Sequence, residues 1–135
     1  MLGMADEAIC IETPTKFARR TIAAGAVLPI GTIGKLNDAN TLTASAASND
    51  AFAGIVWVES TATDTFTEIT VAMNGRWKFV TTGANIAVGV PGAIGGANQI
   101  RTAIAADLLR GDVVGNSLDT LVGAGSVVMD VGVQY

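Results

Sequence analysis

The chain has 135 residues, and only 15% of them are Asp, Glu, Lys or Arg, whereas about 25% is typical of a globular domain. Half of the residues are hydrophobic, which is more than one small domain buries. We therefore expect part of the surface to be covered by further copies of the chain or by a larger partner. The net charge of −4 argues against nucleic acid as a partner, because phosphate contacts need concentrated Lys and Arg.

The composition offers few groups for catalysis. The chain has no His and a single Cys, which excludes Ser-His-Asp and Cys-His nucleophiles and the usual zinc sites. Asp64 and Glu68 are the carboxylates nearest to a glycosidase pair, but their Thr-rich stretch is more typical of a solvated loop. For Cys10 we favour a small buried hydrophobe over a reactive thiol. We expect no enzyme activity, no cofactor and no metal.

Residues 1–20 are predicted to form an extended N-terminal arm ahead of a single β-rich domain at 21–135. Pro14 favours an extended backbone around it, and Ile11 and Phe17 alternate loosely with polar residues. An arm that lies along a neighbouring subunit has this pattern. A frayed terminus or the first strand of the domain is the alternative. We expect no secretory signal, because acidic residues interrupt the region that would have to be apolar.

Short apolar runs punctuated by glycine follow the arm and predict an all-β fold, a small barrel or sandwich. Their alternation is typical of strands that bury one face. The candidate strands are Thr21–Ala23, Val27–Ile30, Thr32–Leu36, Ala53–Glu59, Ile86–Val90 and Val113–Val114.

The stretch Glu68 to Val80 has the strongest alternation in the chain, with apolar residues on one face from Ile69 to Phe79. Asn74-Gly75 is typical of a tight hairpin, but a two-residue turn would mix apolar and polar residues on each face. We therefore favour one continuous strand with a bulge or bend at Gly75. Trp77 on its apolar face is interpreted as core, with an anchor at an oligomer interface as the alternative.

The rest of the chain adds one helix and a closing strand. Residues 79–100 are uncharged, but Gly, Pro and Asn make them too polar for a membrane span, so no membrane partner is expected. One short helix is predicted at about 102–110, with an apolar stripe containing Ile104, Leu108 and Leu109. Alternation from Val127 to Tyr135 predicts a final strand.

The chain also aligns with itself at an offset of 58 residues. Gly25 and Gly31 fall on Gly83 and Gly89, and Asn40 falls on Asn98. One interpretation is an internal duplication, with two similar β units packed about a pseudo-twofold axis. The alternative is chance alignment in a chain rich in Gly, Ala and Val.

The order of several short motifs resembles the capsid decoration, or cement, proteins of tailed bacteriophages. IAAGAVLPIGTIGKLNDANTL begins at Ile22, DAFAGI at Asp50, NGRW at Asn74 and AADLL at Ala105, and a Val-rich strand closes the chain. The resemblance covers roughly residues 8 to 135. It is loose around Asn37–Thr41, where this chain departs from the turn of that family.

This resemblance implies a structural protein on the outer surface of a virion, made in the host cytoplasm. It would bind the major capsid protein, bridge neighbouring capsid subunits and stabilise the expanded head, commonly as a homotrimer. The residues expected to contact the capsid or another protomer are Ile11, Lys16, Phe17, Arg19 and Arg20. The alternatives are a structural β module associated with a phage tail or fibre, and a carbohydrate-binding β-sandwich.

Overall fold

The structure is a computed structural model that describes residues 6–83, 85–110 and 112–132. It confirms an all-β fold with one short helix in the described part of the chain. The elements are β1 (Ile9–Glu12), β2 (Phe17–Thr21), β3 (Ile33–Asp38), β4 (Thr41–Ala44), β5 (Phe52–Val56), β6 (Glu68–Ala72), β7 (Gly75–Thr81), β8 (Pro91–Gly96), β9 (Gln99–Thr102), α1 (Ala105–Arg110), β10 (Val113–Ser117) and β11 (Ser126–Val131).

The strands form two closed five-stranded barrels. In barrel 1 the order is β2-β4-β3-β5-β6, and in barrel 2 it is β7-β11-β10-β8-β9. Each barrel is antiparallel except for one parallel pair that closes it, β2 with β4 and β7 with β9. β1 belongs to neither barrel and pairs with β7 along the edge of barrel 2.

The two barrels confirm the internal duplication. β3 pairs with β4 in the same register as β8 with β9, so Gly34 opposite Ala44 corresponds to Gly92 opposite Thr102. Both hairpins carry a register shift at the same place, and Asn40 and Asn98 in their turns have positive φ angles of 52° and 55°. Chance alignment does not produce matching topology and register.

The predicted continuous strand is wrong, because Glu68–Val80 is split between the barrels. β6 ends at Ala72 in barrel 1, and β7 begins at Gly75 in barrel 2. The hairpin alternative is also wrong, since β6 and β7 pair with other strands. The bend does fall at Gly75, whose φ is 102° and where an added Cβ would lie 3.0 Å from the carbonyl oxygen of Glu12. Only glycine accepts both constraints without strain.

The alternation itself is confirmed on both sides of the bend. Ile69 and Val71 are buried in barrel 1, and Trp77 and Phe79 are buried in barrel 2. Three of the shorter strand predictions are wrong. Thr21 is the last residue of β2, so Thr21–Ala23 is not a strand of its own, and Leu28 and Ile86 make only single bridges, to Ser60 and Leu121. The closing strand is confirmed as far as Val131, and residues 133–135 lie outside the described residues.

The N-terminal segment differs from the predicted arm at its end. β2 begins at Phe17 and pairs with β6 over five residues, so residues 17–20 belong to barrel 1. The segment before it crosses both barrels: the N–H of Ala8 donates to the carbonyl of Gly31 at 2.8 Å, and β1 pairs with β7. The boundary of the barrel therefore lies before Phe17, because that is where pairing to β6 starts.

The barrels pack through different faces, which corrects the pseudo-twofold arrangement. Ile33 and Ile55 are opposite each other on barrel 1, are fully buried and belong to the same apolar cluster as Trp77 of barrel 2. The corresponding pair on barrel 2, Pro91 and Asn116, is only half-buried. A twofold axis would bury both pairs alike, so the contact is head-to-tail.

Asn98 fixes this contact with buried hydrogen bonds. It lies in the β8–β9 turn and is 1% exposed. Its side-chain Oδ1 accepts the N–H of Ile33 at 2.9 Å, and its own N–H donates to Oγ of Ser45 at 2.9 Å. These two bonds hold the β8–β9 turn of barrel 2 against the start of β3 and the end of β4 in barrel 1.

The helix α1 is confirmed, but its buried side is the reverse of the prediction. Ile104, Leu108 and Leu109 are 60%, 45% and 89% exposed, and Asp107 is fully buried. Asp107 accepts the N–H of Ile104 at 2.8 Å and forms a two-pronged ion pair with Arg101 at 2.7 and 2.9 Å. This short helix is therefore anchored by a buried ion pair instead of an apolar stripe.

We predict that Asn98→Gly lowers the free energy of unfolding by about 1–3 kcal/mol, because it leaves the buried N–H of Ile33 unpaired. Asn40→Gly is the matched control. It has the same backbone conformation but an exposed side chain, so we expect a loss below about 1 kcal/mol. Glycine tolerates the positive φ in both variants. Urea unfolding measures both, and equal losses would contradict the role of Asn98.

Candidate interaction surface

The five residues predicted to make contacts do not form one patch. Phe17 and Arg19 lie on the outward face of β2, and Lys16 is exposed immediately before that strand. Arg20 points to the other side of β2, and its side chain bonds within barrel 1. Ile11 is 51% exposed on β1, along the edge of barrel 2. The structure thus places Phe17 and Arg19 on one face, with Lys16 next to Phe17 in the chain, and separates the other two.

Phe17 and Arg19 belong to a larger surface, which we call the β2–β6 face. Its members point outward from these strands or from the loop before β6: Phe17, Arg19, Thr21, Phe66, Thr67 and Glu68. The last five line an open depression of 440 Å³. Arg19 and Glu68 form an exposed ion pair across the strands at 3.2 Å. The face therefore combines aromatic surface with paired charges.

Aromatic rings connect this face to the contact between the barrels. The ring of Phe17 lies 5.7 Å from that of Trp57, and Trp57 meets Trp77 edge-on at 6.1 Å. Trp77 is fully buried, whereas Trp57 is half-buried and Phe17 is 43% exposed. Trp77 is confirmed as core, and Trp57 anchors the contact between barrels. The exposed ring of Phe17 is thus held on a rigid base.

Phe66 is the member of this face that sequence reasoning missed. It is 40% exposed and lies in a Thr-rich stretch without alternation, so no periodic signal marks it. The signal that could have found it is a large aromatic residue in a polar loop. A single exposed aromatic residue does not by itself indicate a functional site.

Arg20 holds barrel 1 together. Its Nε donates to the carbonyl of Ala53 at 3.0 Å, and its Nη1 donates to Oδ1 of Asn40 at 2.8 Å. These bonds join β2 to β5 and to the β3–β4 turn. The guanidinium of Arg20 is therefore hydrogen-bonded within its own barrel. A residue that contacts a partner would not need these internal bonds.

The surface around β1 is charged. Arg76 on β7 bonds to Asp130 on β11 at 2.9 Å and to Glu12 on β1 at 3.3 Å. The hydrogen bond to Asp130 is the largest of the effects that raise the pKa of Arg76 above its ordinary value. Ile9 and Ile11 are exposed beside this network, so apolar and charged residues alternate along the edge of barrel 2.

The carboxylates considered for catalysis have local partners. Oδ2 of Asp64 accepts the N–H of Thr61 at 2.7 Å and its hydroxyl at 3.0 Å, which closes the loop. Glu68 is paired with Arg19. Within the described ranges, no three acidic or Cys side chains come together as metal ligands do. The same ranges include no helix with the length and apolarity that a membrane crossing requires.

The chain matches no known protein-family model. A search among curated proteins found no match either.

We predict that Arg20→Ala destabilises the protein by about 1–3 kcal/mol, because it leaves the carbonyl of the buried Ala53 without its charged donor. The matched change on the same strand, Arg19→Ala, removes only an exposed ion pair and is expected to cost less than about 1 kcal/mol. Thermal melting of both variants measures this. A larger loss for Arg19→Ala would show that the outward residue, and not Arg20, supports the barrel.

Cys10 is half-buried on β1, and desolvation raises the pKa of its thiol. A raised pKa leaves less thiolate at pH 7–8, so we predict that iodoacetamide alkylates Cys10 more slowly than a free cysteine in the same buffer. The alkylation rate, followed by mass spectrometry, should rise to the free-cysteine rate after unfolding in guanidinium. Fast alkylation of the folded protein would instead mark Cys10 as reactive.

Proposed function

We propose that the protein is a non-enzymatic structural component that binds the outside of a phage capsid and stabilises the expanded head. The observation that supports this most is the exposed apolar surface. Fourteen large apolar side chains are exposed among the described residues, more than the eight Lys and Arg of the entire chain. Two of them, Phe17 and Phe66, belong to the β2–β6 face, and exposed apolar side chains that share one surface are typical of sites that bind other proteins.

The protein would stabilise the head by binding the expanded capsid lattice more tightly than the unexpanded one. A ligand that favours one of two states shifts the equilibrium toward that state by its differential affinity. Many copies on one head add their contributions, so the shell resists disruption even when each contact is weak. A homotrimer would place three copies of each contact against neighbouring capsid subunits, which adds avidity.

On this proposal the β2–β6 face is the surface that meets the capsid. Phe17 and Phe66 supply exposed aromatic rings, which are enriched in protein interfaces, and Phe17 rests on Trp57. The exposed Arg19–Glu68 pair adds charges at which an acidic or basic partner group binds. Ile11 lies away from this face and is not part of the proposed contact.

Carbohydrate binding is a second candidate, because the same depression combines Phe66 with Thr, Arg and Glu side chains. Sugar rings stack on exposed aromatic residues while polar groups bind their hydroxyls. This candidate predicts that soluble oligosaccharides perturb the resonances of Phe66 and Thr67, which capsid binding does not require.

We predict that the purified protein co-sediments with expanded heads of the source phage in hundreds of copies and raises the temperature at which they break. It should bind unexpanded heads more weakly. Phe17→Glu should reduce binding at least about tenfold, as loss of a buried aromatic anchor does. Quantitative gel analysis of the pellets and differential scanning calorimetry of the heads measure these effects.

Val122→Glu is the matched control, since Val122 is 78% exposed and lies outside the β2–β6 face. Both variants must retain the melting temperature of the natural protein. Equal binding by Phe17→Glu would remove the β2–β6 face from the proposal. Failure of the natural protein to bind expanded heads would overturn the capsid role, and a few copies at the tail would favour the tail module.

A further inference from the structure

The head-to-tail contact between the barrels leaves one unused surface on each. Barrel 1 binds with the side that carries Ile33 and Ile55, and barrel 2 binds with its end around Trp77 and Asn98. Since the barrels have the same fold, barrel 1 also has an end that corresponds to the one around Trp77 and Asn98. Barrel 2 likewise has a side that corresponds to the one with Ile33 and Ile55. In the part of the chain that the structure describes, the residues of these two surfaces are half-buried or exposed, apart from the buried Asp107 of α1.

The unused end of barrel 1, which we call the open mouth, consists of Ala18, Arg20, Leu36, Asn40 and Met73. The barrel registers match them to Trp77, Phe79, Ile94, Asn98 and Val131 of barrel 2. All five of those residues are buried, none of them more than 4% exposed. In barrel 1 none of the five is buried, and Leu36 is 39% exposed. The open mouth is therefore a barrel end without its cover.

The unused side of barrel 2, which we call the free face, consists of Pro91, Asn116, Leu118 and α1. Leu118 corresponds to Trp57, because each donates its N–H to the matching strand, Val128 or Thr70. Leu118 is 38% exposed. The free face thus presents the same strands that barrel 1 uses to bind barrel 2.

The helix α1 extends this correspondence. In barrel 1 the loop between β4 and β5 binds barrel 2, with a bridge from Ala47 to Gly96 and a hydrogen bond from Arg101 to Ser48 at 2.7 Å. In barrel 2 the same position between β9 and β10 holds α1. Its residues Leu108 and Leu109 are 45% and 89% exposed. The element that corresponds to a docking loop therefore carries exposed apolar side chains.

We propose that the open mouth of one copy binds the free face of a second copy, which repeats between chains the contact made within each chain. The registers set the orientation: Pro91 and Asn116 on the free face correspond to Ile33 and Ile55, the pair that binds a barrel end within the chain. A heterologous contact of this kind closes into a ring or continues as a filament. Only the copy number rests on the proposed function, since a homotrimer would be a ring of six barrels.

The contact between copies is weaker than the one within the chain. Pro91 has no N–H, so Asn40 cannot repeat the bond that Asn98 makes to Ile33. Asn116 replaces the buried Ile55, which removes apolar area from the centre of the contact. The association is therefore reversible in solution, and a crosslink that traps it is the appropriate probe.

The bridge between Ala47 and Gly96 identifies the residues to crosslink. Their counterparts between copies are Ala105 on α1 and Asp38 at the open mouth, and both are exposed. Ala47 and Gly96, as bridged residues, have the Cα separation that a disulfide spans, and a repeat of the contact between copies brings their counterparts close to each other. The experiment mixes Ala105→Cys with Asp38→Cys, each in a Cys10→Ser background, at high concentration under mild oxidation. The control mixes Asp38→Cys with Val27→Cys, because Val27 is 49% exposed but lies outside both surfaces.

We expect the first mixture to give at least several-fold more disulfide-linked dimer than the control mixture or than either variant alone. Dimer yields no greater than those of the control would overturn the proposal. Preferential linkage of Asp38→Cys to itself would also overturn it, because that result requires an isologous contact. The test uses free protein, so its result and the result of head binding are independent.

Discussion

The packing of barrel 1 against the end of barrel 2 is the constraint on which the fold depends. A barrel of about 60 residues buries too little surface to be robust by itself, and the apolar cluster around Trp77 includes Ile33, Ile55 and Ala72 of the other barrel. Barrel 2 is completed only when barrel 1 covers it. The bend at Gly75 makes this possible, because it lets β7 leave the line of β6 and pass closely under the N-terminal segment.

The difference between covered and uncovered surfaces explains how the two repeats diverged. On the covered side of barrel 1, Ala72 of β6 is fully buried in the apolar cluster around Trp77, and its neighbour Phe17 on β2 stands at the margin of that side, 43% exposed. At the corresponding place on barrel 2 the neighbours are Arg76 and Asp130, which form an ion pair at 2.9 Å. Charged residues are tolerated where water reaches the strand, and apolar residues are selected where a second barrel excludes water. The two repeats therefore share one topology but have opposite surface chemistry at this position.

Sequence patterns predicted what depends on local periodicity and missed what depends on the other barrel. Alternation located the buried residues of β6, β7 and β11, and the offset of 58 residues located the duplication, because both signals lie in the chain itself. The split at Gly75 was missed, since the faces of β6 and β7 stay in phase while the strands part. The buried side of α1 was also predicted wrongly, because the ion pair between Arg101 and Asp107 outweighs an apolar stripe in a helix of six residues. For the candidate surface, sequence reasoning found Phe17 and Arg19 but not Phe66, which a loop brings to the same depression as Arg19.

The contact between the two repeats, and the two surfaces that it leaves unused, also explain the low charge of the chain. Much apolar surface is used inside the molecule, where two repeats cover each other, yet Leu36, Leu108 and Leu109 remain exposed on the two surfaces that the repeat leaves unused. A monomer in isolation gains nothing from such residues, and they carry a risk of aggregation. On the proposed contact between copies, each of these surfaces has one preferred partner, and the association is finite where it closes into a ring. For the proposed capsid role, contacts as weak as this one are suitable, since weak single contacts correct misplacement and many together hold.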